Sequence, residues 1–162
     1  MPTDLALDRW RMKDFDVGAG GPAGAFAADL EADDWIDVTA PGDTYVALHA
    51  AGRIDHPFND RAEETCSWVP EQEWWWRTDF ESPVLAAGQR LILDFEGLDT
   101  FAEVWLNGAK IATSDNMFVP LRLDVTGLVK PAPTSWLSAS PPPRPHSRTR
   151  PRRSGRARAP RC

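Results

Sequence analysis

Apolar and more polar residues alternate along the middle of the chain, and this pattern predicts β-strands. A period of two residues is typical of strands that bury one face against a core. We therefore predict an antiparallel sheet structure in which the apolar positions are buried together between two sheets. These positions are Trp74, Trp76, Phe80, Leu91, Leu93, Phe95, Val104, Leu106, Leu121 and Leu123.

The residues between these runs predict tight turns. Asn107-Gly108 separates two alternating runs, and this dipeptide favours a two-residue hairpin turn, in which both residues take positive φ. The segment 86–89, Ala-Ala-Gly-Gln, is typical of a short turn that contains glycine.

The N-terminal third predicts two short strands and one helix. We expect strands at about residues 9–12 and 35–38, and a helix at about residues 44–51 that Asp43 caps and Gly52 ends. Residues 17–29 are rich in Gly and Ala, and we expect this loop to contribute little to the core.

Several motifs, in their order along the chain, resemble a known family. They are TAPGDTYVALHAAGRIDHPF at 39–58, WWWR at 74–77, LILDFEGLDTFAEVWLNG at 91–108 and TSDNMFVPLRLDVT at 113–126. Together they resemble the N-terminal sugar-binding domain of glycoside hydrolase family two, and within it the β-mannosidase branch. The resemblance covers residues 35 to 130, roughly.

This resemblance implies a fold and a parent reaction. The fold is an all-β jelly-roll sandwich of the galactose-binding-domain-like type with one short helix. The parent reaction is hydrolysis of terminal β-D-mannosyl residues, which requires two carboxylates. In the family both are glutamates on a barrel domain beyond this chain, so we expect no catalytic residue here and no activity from the chain alone.

Two alternatives remain open at the level of sequence. One is a free-standing carbohydrate-binding module, and the other is a fragment of a β-galactosidase or β-glucuronidase relative. A binding module is expected to close its sandwich, whereas we expect this one to be truncated before its last strands.

Residues 53–73 form a long loop with side chains suited to sugars. Asn59, Asp60 and Glu64 can hydrogen-bond to hydroxyl groups, and Trp68 can stack on a sugar ring. The resemblance implies that this loop lies near the pocket entrance of the parent enzyme. An equally weighted interpretation is that the loop packs on its own domain and exposes its acids to solvent.

The remaining chemistry predicts neither a metal site nor a cofactor. Cys66 and Cys162 have no metal-ligand or disulfide spacing. Asp94 and Glu96 alternate with buried positions, and we expect both to face solvent.

Charge and hydropathy limit the partners and the location. Residues 1–130 hold 10 basic and 24 acidic side chains, because eight of the 18 basic residues, all Arg, lie after residue 130. A net charge of −14 argues against nucleic acid as a partner. The sequence has neither a long apolar run nor a signal-peptide pattern, so we expect no membrane contact and a cytoplasmic location. The expected partners are a mannoside, in the full-length parent, and the missing barrel domain.

Composition changes abruptly at residue 131. Residues 131–162 contain eight Pro, eight Arg and no acid, which predicts a disordered tail after an incomplete sandwich domain at residues 1–130. We expect no strand in this tail, and therefore an unpaired sheet edge that makes the chain poorly soluble. In the family an amphipathic strand follows at this point, so we predict that the tail arises from a frameshift.

Overall fold

The computed structural model describes residues 4–27, 30, 33–56, 65–129 and 135–140. These residues form eight strands, one short helix and one 3₁₀ turn, which confirms the predicted all-β class. Within this part of the chain, no helix has the length and apolar character needed to span a membrane. In chain order the elements are β1 Arg9–Asp16, β2 Ile36–Thr39, α1 Thr44–Ala50, the 3₁₀ turn Val69–Glu71, β3 Gln72–Phe80, β4 Ile92–Phe95, β5 Ala102–Leu106, β6 Ala109–Ser114, β7 Leu121–Asp124 and β8 Ser135–Ser140.

The strands form two antiparallel sheets. The larger has six strands in the order β2-β1-β3-β8-β5-β6, and the smaller pairs β4 with β7. Asn107 and Gly108 connect β5 to β6 with φ values of 50° and 83°, as predicted for this hairpin. The turn at 86–89 is also present, with the Gln89 amide donating to the Ala86 carbonyl at 3.0 Å.

The two sheets pack face to face, which makes the fold a β-sandwich. The core between them contains Phe80, Val104 and Leu106 from the larger sheet and Leu93 from the smaller one. Leu91, Phe95, Leu121 and Leu123 pack around this core as predicted.

Two of the predicted core residues belong to a different cluster. Trp74 is buried with Met12, Val38 and Leu48 under helix α1, and Trp76 packs against the same group. The single core predicted from the alternation is therefore wrong for these two tryptophans. The helix, rather than the second sheet, covers them.

Helix α1 begins and ends at the residues that the sequence indicates. Asp43 Oδ1 accepts hydrogen bonds from the amides of Tyr45 at 2.8 Å and Val46 at 3.2 Å, so it caps the first turn. Gly52, with a φ of 68°, follows the last turn, and its amide donates to the His49 carbonyl. The helix thereby turns Leu48, which is fully buried, toward the sheet.

Strand β3 is buried on both faces, unlike the half-buried strand that the alternation predicts. Glu73, Trp75 and Arg77 lie on the face opposite Trp74, and each is at most 5% exposed. Residues 17–27, which we call the N-terminal strap, cover this face. The larger sheet therefore contacts protein on both of its sides around β3.

The N-terminal strap contributes to the core, which corrects the sequence prediction. Ala25 is fully buried, and the Phe26 ring stacks on Trp105 with centroids 4.7 Å apart. The Arg77 guanidinium donates from Nη1 to the carbonyl of Ala27 at 3.0 Å. The strap thus adds one small and one aromatic side chain to a cluster that also contains Trp35 and Leu30.

Glu73 joins the strap to β3. It accepts a hydrogen bond from the Gly18 amide at 2.6 Å and one from Trp75 Nε1 at 2.5 Å. Gly20 lies so close to Trp75 that a Cβ atom at this position would overlap the indole. Gly20 thus allows the strap to approach the sheet closely.

Strand β8 is present, although the sequence predicts no strand after residue 130. Its six residues lie between β3 and β5, with Leu137 opposite both Thr78 and Leu106. The expected unpaired edge is therefore occupied. The rest of the predicted disordered tail, residues 131–134 and 141–162, lies outside the described residues, and the frameshift stays a prediction.

A side-chain turn after β7 gives a pH-dependent prediction. Thr126 donates to Asp124 Oδ1 from Oγ1 at 2.6 Å and from its amide at 3.1 Å, and these bonds hold the pKa of Asp124 below 3.8. Because this pKa is lowered, the bonds stabilise the fold above pH 3.8, and their contribution is lost as the pH falls through the folded value. We expect Thr126→Val to raise the pKa of Asp124, measured by NMR titration. Thr113→Val, an exposed position on β6, is the control and should leave it unchanged.

Candidate functional site

Strand direction brings several loops to one end of the sandwich. β3 and β5 are both antiparallel to β8, so they run in the same direction and begin at the same end. The segment 65–71 precedes β3, the segment 96–101 precedes β5, and the segment 115–120 follows β6, which returns to this end. We call these three segments the loop end.

Of the predicted sugar-contact residues, Trp68 alone lies among the described residues. Asn59, Asp60 and Glu64 lie in the segment 57–64, which is outside them. Trp68 is half-buried and packs on the cluster under α1, with its ring 6.0 Å from that of Trp74. This packing matches the alternative interpretation, in which the loop contacts its own domain.

The loop end exposes apolar side chains that the sequence analysis did not select. Phe118 is 85% exposed, Phe101 is 56% exposed and Val119 is 55% exposed. Their two loops touch, because Thr100 Oγ1 lies 4.0 Å from Met117 Sδ. The sequence could have indicated these residues, because they are large and apolar but lie outside the alternating runs that predict buried strands.

A polar hollow of about 470 Å³ lies on the outer face of the smaller sheet. It contains two carboxylates, but each is paired with an arginine: Asp94 Oδ2 with Arg122 Nε at 2.9 Å, and Asp124 Oδ2 with Arg90 Nη1 at 3.7 Å. Asp94 is solvent-facing, as predicted. Each carboxylate of this hollow is therefore paired with a cation, so the two do not form a carboxylate pair that faces a common ligand.

A second hollow, of about 440 Å³, lies between β2 and α1. It is lined by Asp33, Asp34, Asp37 and Arg53 beside the Trp35 ring. The Lys13 ammonium donates to Asp34 and lowers the pKa of this carboxyl group, so Asp34 stays ionised at neutral pH. The hollow presents hydrogen-bond acceptors and suits a neutral polyol better than an anion.

Metal-ligating groups do not converge in the described part of the chain. No group of three His, Cys, Asp or Glu side chains is close enough together to hold an ion there. The His49 and His56 rings lie 5.0 Å apart in an edge-to-face arrangement, and His49 Nδ1 lies 3.2 Å from the Ile54 carbonyl. These contacts fix the chain after α1.

Solved structures share this fold. The β-D-mannosidase of Dictyoglomus thermophilum superposes with a TM-score of 0.67 at 27% identity, over 86% of this chain and 16% of that one. The β-glucuronidase of Faecalibacterium prausnitzii gives a TM-score of 0.60 at 23% identity, over 85% of this chain and 20% of that one. Because the identity to this β-glucuronidase is only 23%, its similarity to the chain shows a common fold and nothing more.

Curated relatives and a family match cover most of the sandwich. The chain is 42% identical over 101 residues to β-mannosidase B of Emericella nidulans, which is 62% of this chain and 12% of that protein. It is 43% identical over 90 residues to β-mannosidase B of Thermothelomyces thermophilus, covering 56% of this chain and 10% of that one. The chain thus spans about a tenth of the length of these relatives. Residues 23–142 match the glycosyl hydrolase 2 galactose-binding domain-like family, and the chain belongs to that family.

Proposed function

We propose that this chain is the N-terminal domain of a β-mannosidase-like glycoside hydrolase, which acts on terminal β-D-mannosyl residues. The observation that carries the proposal is the 42% identity to β-mannosidase B of Emericella nidulans, confined to 12% of that protein's length. The likeness to β-glucuronidases is weaker, at 23% identity for the Faecalibacterium prausnitzii structure, and it supports only a common fold.

A chimera tests this assignment. Residues 1–142 of this chain would replace the corresponding segment of the Emericella nidulans enzyme, and release of nitrophenol from nitrophenyl β-mannoside would be measured. We expect a folded, active chimera, because a domain of the same branch preserves the contacts with the remainder of the enzyme. A control chimera carries the matching domain of the Faecalibacterium prausnitzii β-glucuronidase, which has the same fold. Equal activity of both chimeras, or a folded but inactive first chimera, would contradict the proposal.

We expect the isolated chain to release no nitrophenol from nitrophenyl β-mannoside. Retaining hydrolysis requires a nucleophile and an acid/base carboxyl group about 5 to 5.5 Å apart. Asp94 and Asp124 are each held by an arginine, and in the family that the chain resembles the catalytic pair belongs to a barrel domain. Turnover by homogeneous protein that is lost in Glu63→Gln or Glu64→Gln would show that the chain is itself catalytic.

The same chimera tests the proposed sugar contacts. Asn59, Asp60, Glu64 and Trp68 precede β3 in the sequence, and these are the side chains that we propose to contact the sugar. We expect Glu64→Gln to raise KM for nitrophenyl β-mannoside about tenfold, since a charged acceptor contributes about 1.5 to 3 kcal/mol to a hydrogen bond. Glu81→Gln, an exposed position just after β3 and so at the opposite end of that strand, is the matched control and should leave KM unchanged. If both changes raised KM equally, the weaker binding would result from the lost negative charge rather than from a contact between Glu64 and the sugar.

A free-standing carbohydrate-binding module is the second candidate. The observation that favours it is β8, since the larger sheet is closed where the sequence predicted an open edge. The hollow beside Trp35 and the exposed Phe118 are the surfaces that such a module would use. We expect at most millimolar affinity of the isolated chain for mannose, measured by indole fluorescence, because the few contacts to one sugar must offset its lost translational and rotational freedom. Saturation at micromolar mannobiose would favour the module over the enzyme domain.

A further inference from the structure

Asn107 and Gly108, which form the turn between β5 and β6, are the only Asn-Gly pair in the sequence. Both residues have positive φ and both are partly exposed to solvent. The β5–β6 ladder ends at the pair Leu106 and Ala109, so the Gly108 amide lies outside it. Within the described part of the chain, this amide donates no hydrogen bond. An unpaired backbone nitrogen therefore directly follows an asparagine side chain.

The Asn107 side chain is bonded to a distant segment rather than to its own main chain. Its Nδ2 atom donates to the Leu128 carbonyl at 3.1 Å. Leu128 belongs to a turn in which the amides of Leu128 and Val129 donate to the Val125 carbonyl at 2.9 and 3.2 Å. Val125 is fully buried between the sheets, which anchors this turn to the core. The Asn107 bond thus ties the tip of the hairpin to a fixed part of the sandwich.

We propose that Asn107 is a deamidation site whose reaction the folded hairpin restrains, and that the reaction breaks the tie to Leu128. The Gly108 nitrogen loses its proton to hydroxide and attacks the side-chain carbonyl carbon of Asn107, which forms a succinimide ring. The bond from this carbon to Nδ2 breaks, and Nδ2 takes a proton from water, leaves as ammonia and regenerates the hydroxide. Water then opens the ring at either carbonyl, which gives aspartate or isoaspartate. Glycine favours the attack because it has no side chain beside the nitrogen.

The folded turn slows the first step of this reaction. The Asn107 side chain must rotate toward its own main chain before the Gly108 nitrogen can attack it, and this rotation breaks the bond to Leu128. Loss of one neutral hydrogen bond and local opening of the turn make the folded chain about tenfold slower to react than the unfolded chain. The hairpin therefore protects a residue pair whose sequence favours the reaction.

Both products weaken the turn. Aspartate lacks the Nδ2 donor, so a carboxylate oxygen faces the Leu128 carbonyl and the two acceptors repel each other. Isoaspartate also adds one methylene group to the main chain, which does not fit a two-residue turn between Leu106 and Ala109. The tip of the hairpin lies at the end of β5 opposite the loop end. We therefore expect the modified chain to be less stable without a change in the proposed sugar contacts.

Peptide mapping by mass spectrometry tests the site. Wild-type chain is incubated at mildly alkaline pH, in buffer and in urea, and peptides are analysed over time. We expect aspartate and isoaspartate to accumulate at Asn107 in both samples, about tenfold faster in urea. Asn116 is the internal control, since the bulky Met117 follows it, and it should react far more slowly. Reaction of Asn107 in buffer no faster than that of Asn116, or equal rates at Asn107 in buffer and in urea, would overturn the proposal.

Two substitutions of Asn by Asp test the structural consequence. Asn107→Asp removes the donor to Leu128 and should lower the melting temperature by several degrees. Asn116→Asp is the matched control, because Asn116 Oδ1 accepts from the Phe118 amide at 3.0 Å and a carboxylate keeps this acceptor. Its melting temperature should equal that of the wild type. If Asn107→Asp does not fold, the modified and unmodified fractions of aged wild-type chain are separated by ion exchange, and the modified fraction should melt lower. Equal melting temperatures of the two variants, or of the two fractions, would contradict the proposed tie.

Discussion

We expect Val104→Asp to unfold the domain. Val104 is fully buried between the sheets, in contact with the cluster that contains Phe80, Leu93 and Leu106. The described side chains packed around this position are apolar, so burying a carboxylate there costs several kcal/mol, roughly. Because the whole stability of a domain is about 5 to 15 kcal/mol, this loss removes most of it. Far-UV circular dichroism during heating measures the result.

The control for this prediction uses the same change at an exposed apolar position. Val84 is 99% exposed in the connection between β3 and β4, so Val84→Asp should keep the wild-type melting temperature. If Val104→Asp had the same melting temperature as Val84→Asp and the wild type, the register of β5 in the larger sheet would be wrong.

Gly20→Ala should destabilise the chain by several degrees in melting temperature. A Cβ atom at Gly20 would overlap the Trp75 indole and approach Glu73 Oε1 at 2.6 Å, and both belong to the buried face of β3. Either the N-terminal strap must move away or the indole must change its rotamer. Overpacking of this kind costs about 1 to 3 kcal/mol, and here it also weakens the bond from the Gly18 amide to Glu73.

Gly21 provides a matched control one residue away. A Cβ atom there meets nothing within 4 Å, and its φ is not in the left-handed region. We expect Gly21→Ala to be neutral or slightly stabilising, because it restricts the unfolded chain. Equal effects of the two substitutions would show that the strap does not lie against Trp75 in solution.

Features set by neighbouring residues were predictable from the sequence. The Asn107-Gly108 turn and the Asp43 cap each depend on the chemistry of a few adjacent positions. The alternating runs also became strands, since a strand with one buried face requires that pattern. The assignment of strands to sheets was not predictable in this way, and Trp74 is buried under the helix rather than between the sheets.

Features set by distant partners were missed. Glu73 and Arg77 look like exposed positions of a half-buried strand, and their partners at Gly18 and Ala27 lie about 50 residues earlier in the chain. β8 lies at the start of a segment rich in Pro and Arg, and its position depends on ladders to β3 and β5. A pattern confined to one segment contains no information about either relationship.

The predicted sugar contacts stay a prediction, since three of the four residues lie outside the described part of the chain. The sequence selected a segment before β3, and residues 65–71 of that segment lie at the loop end. Trp68 was selected because an indole can stack on a sugar, but most of its contacts are with its own domain. Phe101 and Phe118 were not predicted as site residues, because an apolar residue in a loop does not belong to an alternating pattern. Both rings are nevertheless more exposed than that of Trp68.

The order of strands in the larger sheet also determines when a growing chain can fold on the ribosome. β1, β2, β3, β5 and β6 have all been synthesised before β8, yet β8 lies between β3 and β5. Until residue 140 has left the exit tunnel, the nascent chain has two unsatisfied strand edges facing each other. Closure of the sheet therefore waits for pairs of high sequence separation, such as Phe80 with Ser135, which slow folding. Translation speed and chaperone occupancy over this interval should control the yield of folded protein more strongly than the stability of the finished sandwich does.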